Sequence, residues 1–85
     1  MAKVEIYSKG SCPYCIRAKR LLGERGIEFV EHEVDWGGEK KAEMIQRAGG
    51  RTTVPQIFID GKHIGGCDDL FDLHMSGRLA EMLAV

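Results

Sequence analysis

The chain has 85 residues, with 12 Lys plus Arg against 13 Asp plus Glu and a formal net charge of −1. That near balance excludes the basic field of a dedicated nucleic-acid binder and a polybasic membrane anchor. With 44% apolar and 29% charged residues, the composition is that of a folded protein, and the length predicts a single domain over residues 1–85 that buries only about 60% of its unfolded surface.

No stretch approaches the roughly 18 apolar residues of a membrane span. The first residues, Met-Ala-Lys-Val-Glu-Ile, carry charges at Lys3 and Glu5 and no apolar signal core, so the expectation is a cytoplasmic protein. Three cysteines are too few for a disulfide scaffold. In a reducing compartment they point to redox chemistry or metal binding.

Lys3–Ser8 alternates with Val4 and Ile6 on one face and predicts a strand. Gly10, Ser11 and Pro13 turn the chain into a helix over Pro13–Arg25, with Ile16, Leu21 and Leu22 inward and Gly26 as its stop. Ile27–Val34 predicts a second strand, and Trp36-Gly37-Gly38 a loop with Trp36 packed over a sheet edge. Glu39–Ala48 reads as a short amphipathic helix with Met44, Ile45 and Ala48 inward, ended by Gly49-Gly50. Gln56–Ile59 is an apolar strand, Asp60-Gly61 a hairpin turn, and Lys62–Gly65 a short edge strand. A last helix opens at Cys67-Asp68-Asp69, with Leu70, Leu73, Leu79, Met82 and Leu83 as its stripe and Gly77 as a weak point. The order is β-α-β-α-β-β-α, with the first two strands parallel.

Cys12-Pro13-Tyr14-Cys15 is the most informative segment. A C-x-x-C at a strand-to-helix junction puts the two Cβ atoms about 5–6 Å apart, close enough to open and close a disulfide with little rearrangement. A free thiol of pKa about 8.5 is only a few per cent thiolate at pH 7. The helix N-terminus favours the anion, but its dipole supplies only about 1 kcal/mol, less than one pKa unit. Amide-to-sulfur hydrogen bonds and a cation must add to it. Pro13 lacks an N–H, so the expected donors are the amides of Tyr14 and Cys15, and the expected cation is Lys9, with Arg17 a weaker candidate. Cys12 is then the thiolate nucleophile and Cys15 the higher-pKa resolving thiol. The alternatives are zinc binding and two inert structural cysteines. A zinc site needs four ligands, and beyond this pair only Cys67 and the scattered His32, His63 and His74 remain.

Cys12-Pro13-Tyr14-Cys15, Thr53-Val54-Pro55 and Gly65-Gly66-Cys67-Asp68-Asp69, at this spacing and length, resemble a dithiol glutaredoxin of the C-P-Y-C type across essentially the whole chain. Trp36-Gly37-Gly38 and the doubled Gly49-Gly50 depart from the pattern at the two ends of the second helix. The resemblance implies an α/β thioredoxin fold, a four-stranded mixed sheet flanked by three helices, with the first and third on one face and the second on the other. It implies glutathione as co-substrate and no bound cofactor or metal.

It also implies that Pro55 is cis, where an ordinary strand-opening proline is the alternative. The backbone of Val54 would then pair with the extended cysteinyl unit of glutathione. The amides of Cys67 and Asp68, after the close-approach glycine Gly66, would take the γ-glutamyl carboxylate, and the Asp68 side chain its ammonium, unless Asp68 or Asp69 merely caps the helix. Lys9 would face the glycyl carboxylate, Tyr14 would pack beside the tripeptide, and Thr53 is a site neighbour. Cys67 is expected to be half-buried.

The implied activity is glutathione-dependent thiol–disulfide exchange on glutathione mixed disulfides and protein disulfides, ribonucleotide reductase among them, by a monomer bound to neither nucleic acid nor membrane. Two rivals stay open: a thioredoxin-like carrier served by a flavoprotein reductase, and a glutathione-ligated iron–sulfur scaffold.

Overall fold

The structure, a computed structural model, describes residues 2–83. Its elements are β1 (Val4–Ser8), α1 (Pro13–Glu24), β2 (Val30–Glu33), α2 (Gly38–Arg47), β3 (Gln56–Ile59), β4 (Lys62–Gly65), α3 (Cys67–Met75) and α4 (Arg78–Leu83). The strand order is β2-β1-β3-β4. β1 and β2 are parallel, with Ser8 opposite Glu33, and the other two pairings are antiparallel. This is the mixed sheet of the thioredoxin fold.

β1 is buried throughout because both of its faces are covered. Val4 and Ile6 join Ile57, Ile59, Ala18, Leu21, Leu22, Leu70 and Leu79 on the side of α1, α3 and α4. Tyr7 joins Val34, Met44, Ala48 and Phe58 on the side of α2. Period-2 alternation thus feeds two cores rather than one core and solvent.

Four predicted features need correction. β2 starts at Val30, not Ile27, because α1 ends in a Schellman motif: the Ile27 N–H bonds Leu22 O at 2.9 Å and the Gly26 N–H bonds Gly23 O at 3.0 Å. The Ile27 amide is spent on the helix end and cannot start a ladder. Ile16 points outward and is exposed, while Cys15 and Ala18 take the inward positions. There are four helices among the described residues rather than three: the last one breaks at Ser76-Gly77, where Gly77 has φ +81°. Finally, Trp36 packs over nothing and is 98% exposed.

The second helix spans Gly38–Arg47, one residue earlier at each end than expected. Its doubled glycine repeats the Schellman arrangement, with Gly50 N–H to Ile45 O at 2.8 Å. The Asp60-Gly61 turn has φ +51° and +80°, the primed hairpin geometry that Asp-Gly favours. β2 and β4 are the sheet edges, as expected for β4. No helix among the described residues is long and apolar enough to cross a membrane.

Candidate active site

The chain leaves β1 at Ser8, turns at Lys9–Cys12 with the Cys12 N–H on Lys9 O at 3.3 Å, and enters α1. Cys12 is the N-cap in extended backbone, and Pro13 is the first helical residue. Of the two amides expected to reach Cys12 Sγ, that of Cys15 does so at 3.3 Å. The Tyr14 amide makes no such bond. Cys12 is partly exposed, Cys15 is buried, and both are free thiols. Burial, followed by the hydrogen bond to Cys12, pushes the Cys15 thiol up to about 12. The pair is therefore asymmetric, with one sulfur open to a partner and the other sealed behind it.

Across from Cys12 lies the loop before β3. The Val54–Pro55 bond is cis, and Cys12 Sγ stands 3.8 Å from Val54 O. A cleft of about 320 Å³ runs from there, lined by Tyr14, Arg51, Thr53, Val54, Pro55, Gly66, Cys67, Asp68 and Asp69. Thus Tyr14, Thr53, Val54, Pro55, Gly66, Cys67 and Asp68, chosen from three separate motifs, share one cleft. Lys9 does not line it; its carbonyl accepts the Cys12 N–H in the turn that leads into α1.

The far wall is built with little tolerance. Gly65 has φ +123°, and a Cβ there would fall 2.2 Å from Asp69 Oδ2. A Cβ on Gly66 would meet Pro55 O at 3.4 Å. Glycine is required at Gly65, by its left-handed φ and the adjacent Asp69 side chain, whereas a Cβ on Gly66 would only touch the proline loop. The Gly66 N–H donates to Asp69 Oδ2 at 2.9 Å. Asp69 is therefore the capping acid, and Asp68 is exposed at the cleft, its carboxylate without a hydrogen-bond or ion-pair partner among the described residues. Cys67 is more buried than expected, 5% exposed, and burial raises its thiol.

Arg51 is the cleft residue that the sequence reading missed; Asp69, weighed there only as a helix cap, also lines the cleft. Arg51 Nη1 lies 3.7 Å from Asp69 Oδ2. The one available hint was a cation two residues before Thr53-Val54-Pro55. A larger depression, about 560 Å³, opens at the other end of the sheet between Lys3, Ile27, Phe29 and Leu83; it contains no cysteine.

The family model described as Glutaredoxin matches residues 4–64. Glutaredoxin 3 of Escherichia coli (strain K12) is 58% identical over 83 residues, covering 98% of this chain and 99% of that protein. The chain belongs to the glutaredoxin family. Among solved structures, this glutaredoxin is similar to the glutaredoxin from Brucella melitensis, at 49% identity and TM-score 0.83, covering 98% of this chain and 89% of that one. It is also similar to the buckwheat glutaredoxin–glutathione complex, at 38% identity and TM-score 0.85, covering 96% and 76%. The glutaredoxin is a glutathione-dependent thiol–disulfide oxidoreductase.

Proposed function

We propose that Cys12 and Cys15 carry the exchange and that the cleft beside them holds glutathione. In the first step the Cys12 thiolate attacks the glutathione sulfur of a mixed disulfide. The substrate leaves as a thiol and Cys12 is joined to glutathione. A second glutathione thiolate then attacks the glutathione sulfur of that bond, releasing glutathione disulfide and restoring Cys12. With a protein disulfide, Cys12 first bonds the target. Cys15 then loses its proton, attacks Cys12 Sγ and expels the target thiol, leaving a Cys12–Cys15 disulfide that two glutathiones reduce. Exchange of this kind proceeds by in-line thiolate attack, so access decides which sulfur acts first.

The observation that carries this reading is the contrast between the two thiols: Cys12 is partly exposed, 3.8 Å from the carbonyl of the cleft residue Val54, whereas Cys15 is buried with its thiol pushed up to about 12. In the cleft, the backbone of Val54 pairs with the cysteinyl unit of the tripeptide. The first amides of α3, those of Cys67 and Asp68, take its γ-glutamyl carboxylate, and the Asp68 carboxylate takes its ammonium. Tyr14 packs alongside. Arg51, which lines the cleft, is better placed than Lys9 to answer the glycyl carboxylate. No bound cofactor enters the cycle. The protein acts as a cytoplasmic monomer on glutathionylated proteins and on disulfide-forming enzymes of the ribonucleotide reductase kind.

The test is an assay of both reactions on the wild type and two variants. Cys12→Ser loses both. Cys15→Ser keeps deglutathionylation and loses reduction of protein disulfides. Loss of both activities in Cys15→Ser contradicts the scheme.

A further inference from the structure

Gln56 is the first residue of β3 and is fully buried, although it carries a polar amide. Its position next to Pro55 follows from the chain, but its partners lie elsewhere. Gln56 Nε2 donates to Thr53 O at 2.9 Å and to Thr53 Oγ1 at 3.2 Å. Gln56 Oε1 lies 2.6 Å from His63 Nε2 on β4.

Only one orientation of this amide satisfies all three contacts. Thr53 O is a carbonyl and can only accept, so the NH2 end of Gln56 must face it. The carbonyl end then faces His63, whose Nε2 must carry the proton. The His63 ring is itself held against Phe58, with centroids 5.1 Å apart. β4 therefore grips Gln56, and Gln56 grips the Thr53 carbonyl.

The consequence lies one atom along the chain. The Thr53–Val54 peptide is planar and trans, so its C=O and N–H point in opposite directions. Holding Thr53 O inward, on a fully buried side chain, turns the Val54 N–H outward. Val54 lines the cleft, and its N–H has no hydrogen-bond partner among the described residues. A side chain that touches no ligand thus sets the direction of an amide donor in the cleft wall.

We infer that Gln56, clamped by His63, is a positioning residue that fixes the Thr53–Val54 peptide plane so that the Val54 N–H is preset toward the cysteinyl backbone of bound glutathione. This rests on the reading of the cleft given above and adds to it a part outside the cleft. Such presetting removes an ordering cost from binding. It acts on substrate capture and leaves sulfur reactivity alone.

The experiment compares wild type, Gln56→Met, His63→Phe and Asp68→Asn. Gln56→Met keeps volume and deletes both ends of the relay. His63→Phe keeps a ring against Phe58 and deletes only the clamp. Three quantities are measured: KM and kcat for a glutathionylated peptide, the rate of Cys12 alkylation by iodoacetamide, and the melting temperature.

The expected result for Gln56→Met is a KM raised roughly fivefold or more, the worth of one buried hydrogen bond, with kcat and alkylation unchanged. His63→Phe gives a smaller rise in the same direction, and it decides the matter if Gln56→Met does not fold. A lower melting temperature with KM unchanged in both variants assigns them a structural role and overturns the inference. If that happens while Asp68→Asn raises KM, the relay falls and the cleft stands. If Asp68→Asn leaves KM unchanged as well, the reading of the cleft falls and takes the relay with it.

Discussion

Arg47 on α2 lies fork to fork against Glu5 on β1, Nη1 to Oε1 at 3.2 Å and Nη2 to Oε2 at 3.0 Å. Arg47 Nη1 also donates to Tyr7 Oη at 2.7 Å, and its guanidinium sits 4.2 Å from the centroid of Phe58. The Tyr7 hydroxyl donates in turn to Glu43, and His32 meets Glu5 at 3.1 Å. A charged network therefore ties α2 to the middle of the sheet where an apolar contact would be the common choice.

The network predicts how the protein responds to acid. The Arg47 guanidinium holds the Glu5 carboxyl at about 2, below its ordinary 4.5. A lowered acid stabilises the fold fully above the unfolded value and loses that contribution as pH falls from about 4.5 toward 2. The loss amounts to at most about 3 kcal/mol. Arg47→Ala should destabilise by a similar amount at pH 7, since it leaves Glu5 with half its partners. It should also flatten the acid dependence. Urea unfolding of both proteins at pH 7 and pH 3 measures this, and parallel acid losses would contradict it.

The raised Cys15 thiol predicts silence toward alkylation. Burial, then the bond to Cys12, places it at about 12, so it stays protonated through the neutral range. In Cys12→Ser, which keeps the burial, the Cys15 modification rate at pH 8 should lie at least about a hundredfold below that of a free cysteine. Mass spectrometry of timed samples reads the rate, and modification at the free-cysteine rate would show that the site opens.

Asp68 and Asp69 should separate cleanly. Asp69 holds the Gly66 N–H, so Asp69→Ala should cost about 1 kcal/mol of stability, as loss of a helix cap does. Asp68 is exposed, so Asp68→Asn should leave the melting temperature unchanged and raise KM for glutathionylated substrates about tenfold, the worth of one charge-assisted contact. Paired melting and kinetic measurements would expose a reversal of the two roles.

Trp36, 98% exposed, predicts an emission maximum that unfolding barely moves. Trp36→Ala should change stability by less than about 0.5 kcal/mol. A blue-shifted native spectrum would mean that the indole is covered.

The parts legible in the sequence are those fixed by short-range chemistry. A C-x-x-C with proline behind the first cysteine, an Asp-Gly turn and a Gly-Gly before an acidic helix start each carry their own geometry. What escaped depends on which neighbour a residue meets. The Ile27 amide could have joined a strand or a helix end, and only the Leu22 carbonyl decided it. Ile16 fits the helical period as well as Cys15 does, but Cys15 is the one that the folded chain buries. Gly77 signalled weakness without saying that the helix would break there. Asp68 and Asp69 were equivalent until Gly66 selected one. Gln56 and His63 sit on different strands, so their bond has no linear signature.

One remaining link joins two loops. Asp35 Oδ1 accepts the Gly10 N–H at 2.9 Å, two residues ahead of Cys12, and the Gly37 N–H bonds back to Val34 O at 3.1 Å. An engineer grafting a peptide tag or a fluorophore near this corner thus has unequal options. Cargo spliced in ahead of Asp35 would tug on the loop that carries the reactive sulfur. Cargo attached at the Trp36 side chain would hang in water, and the catalytic end would not register its presence.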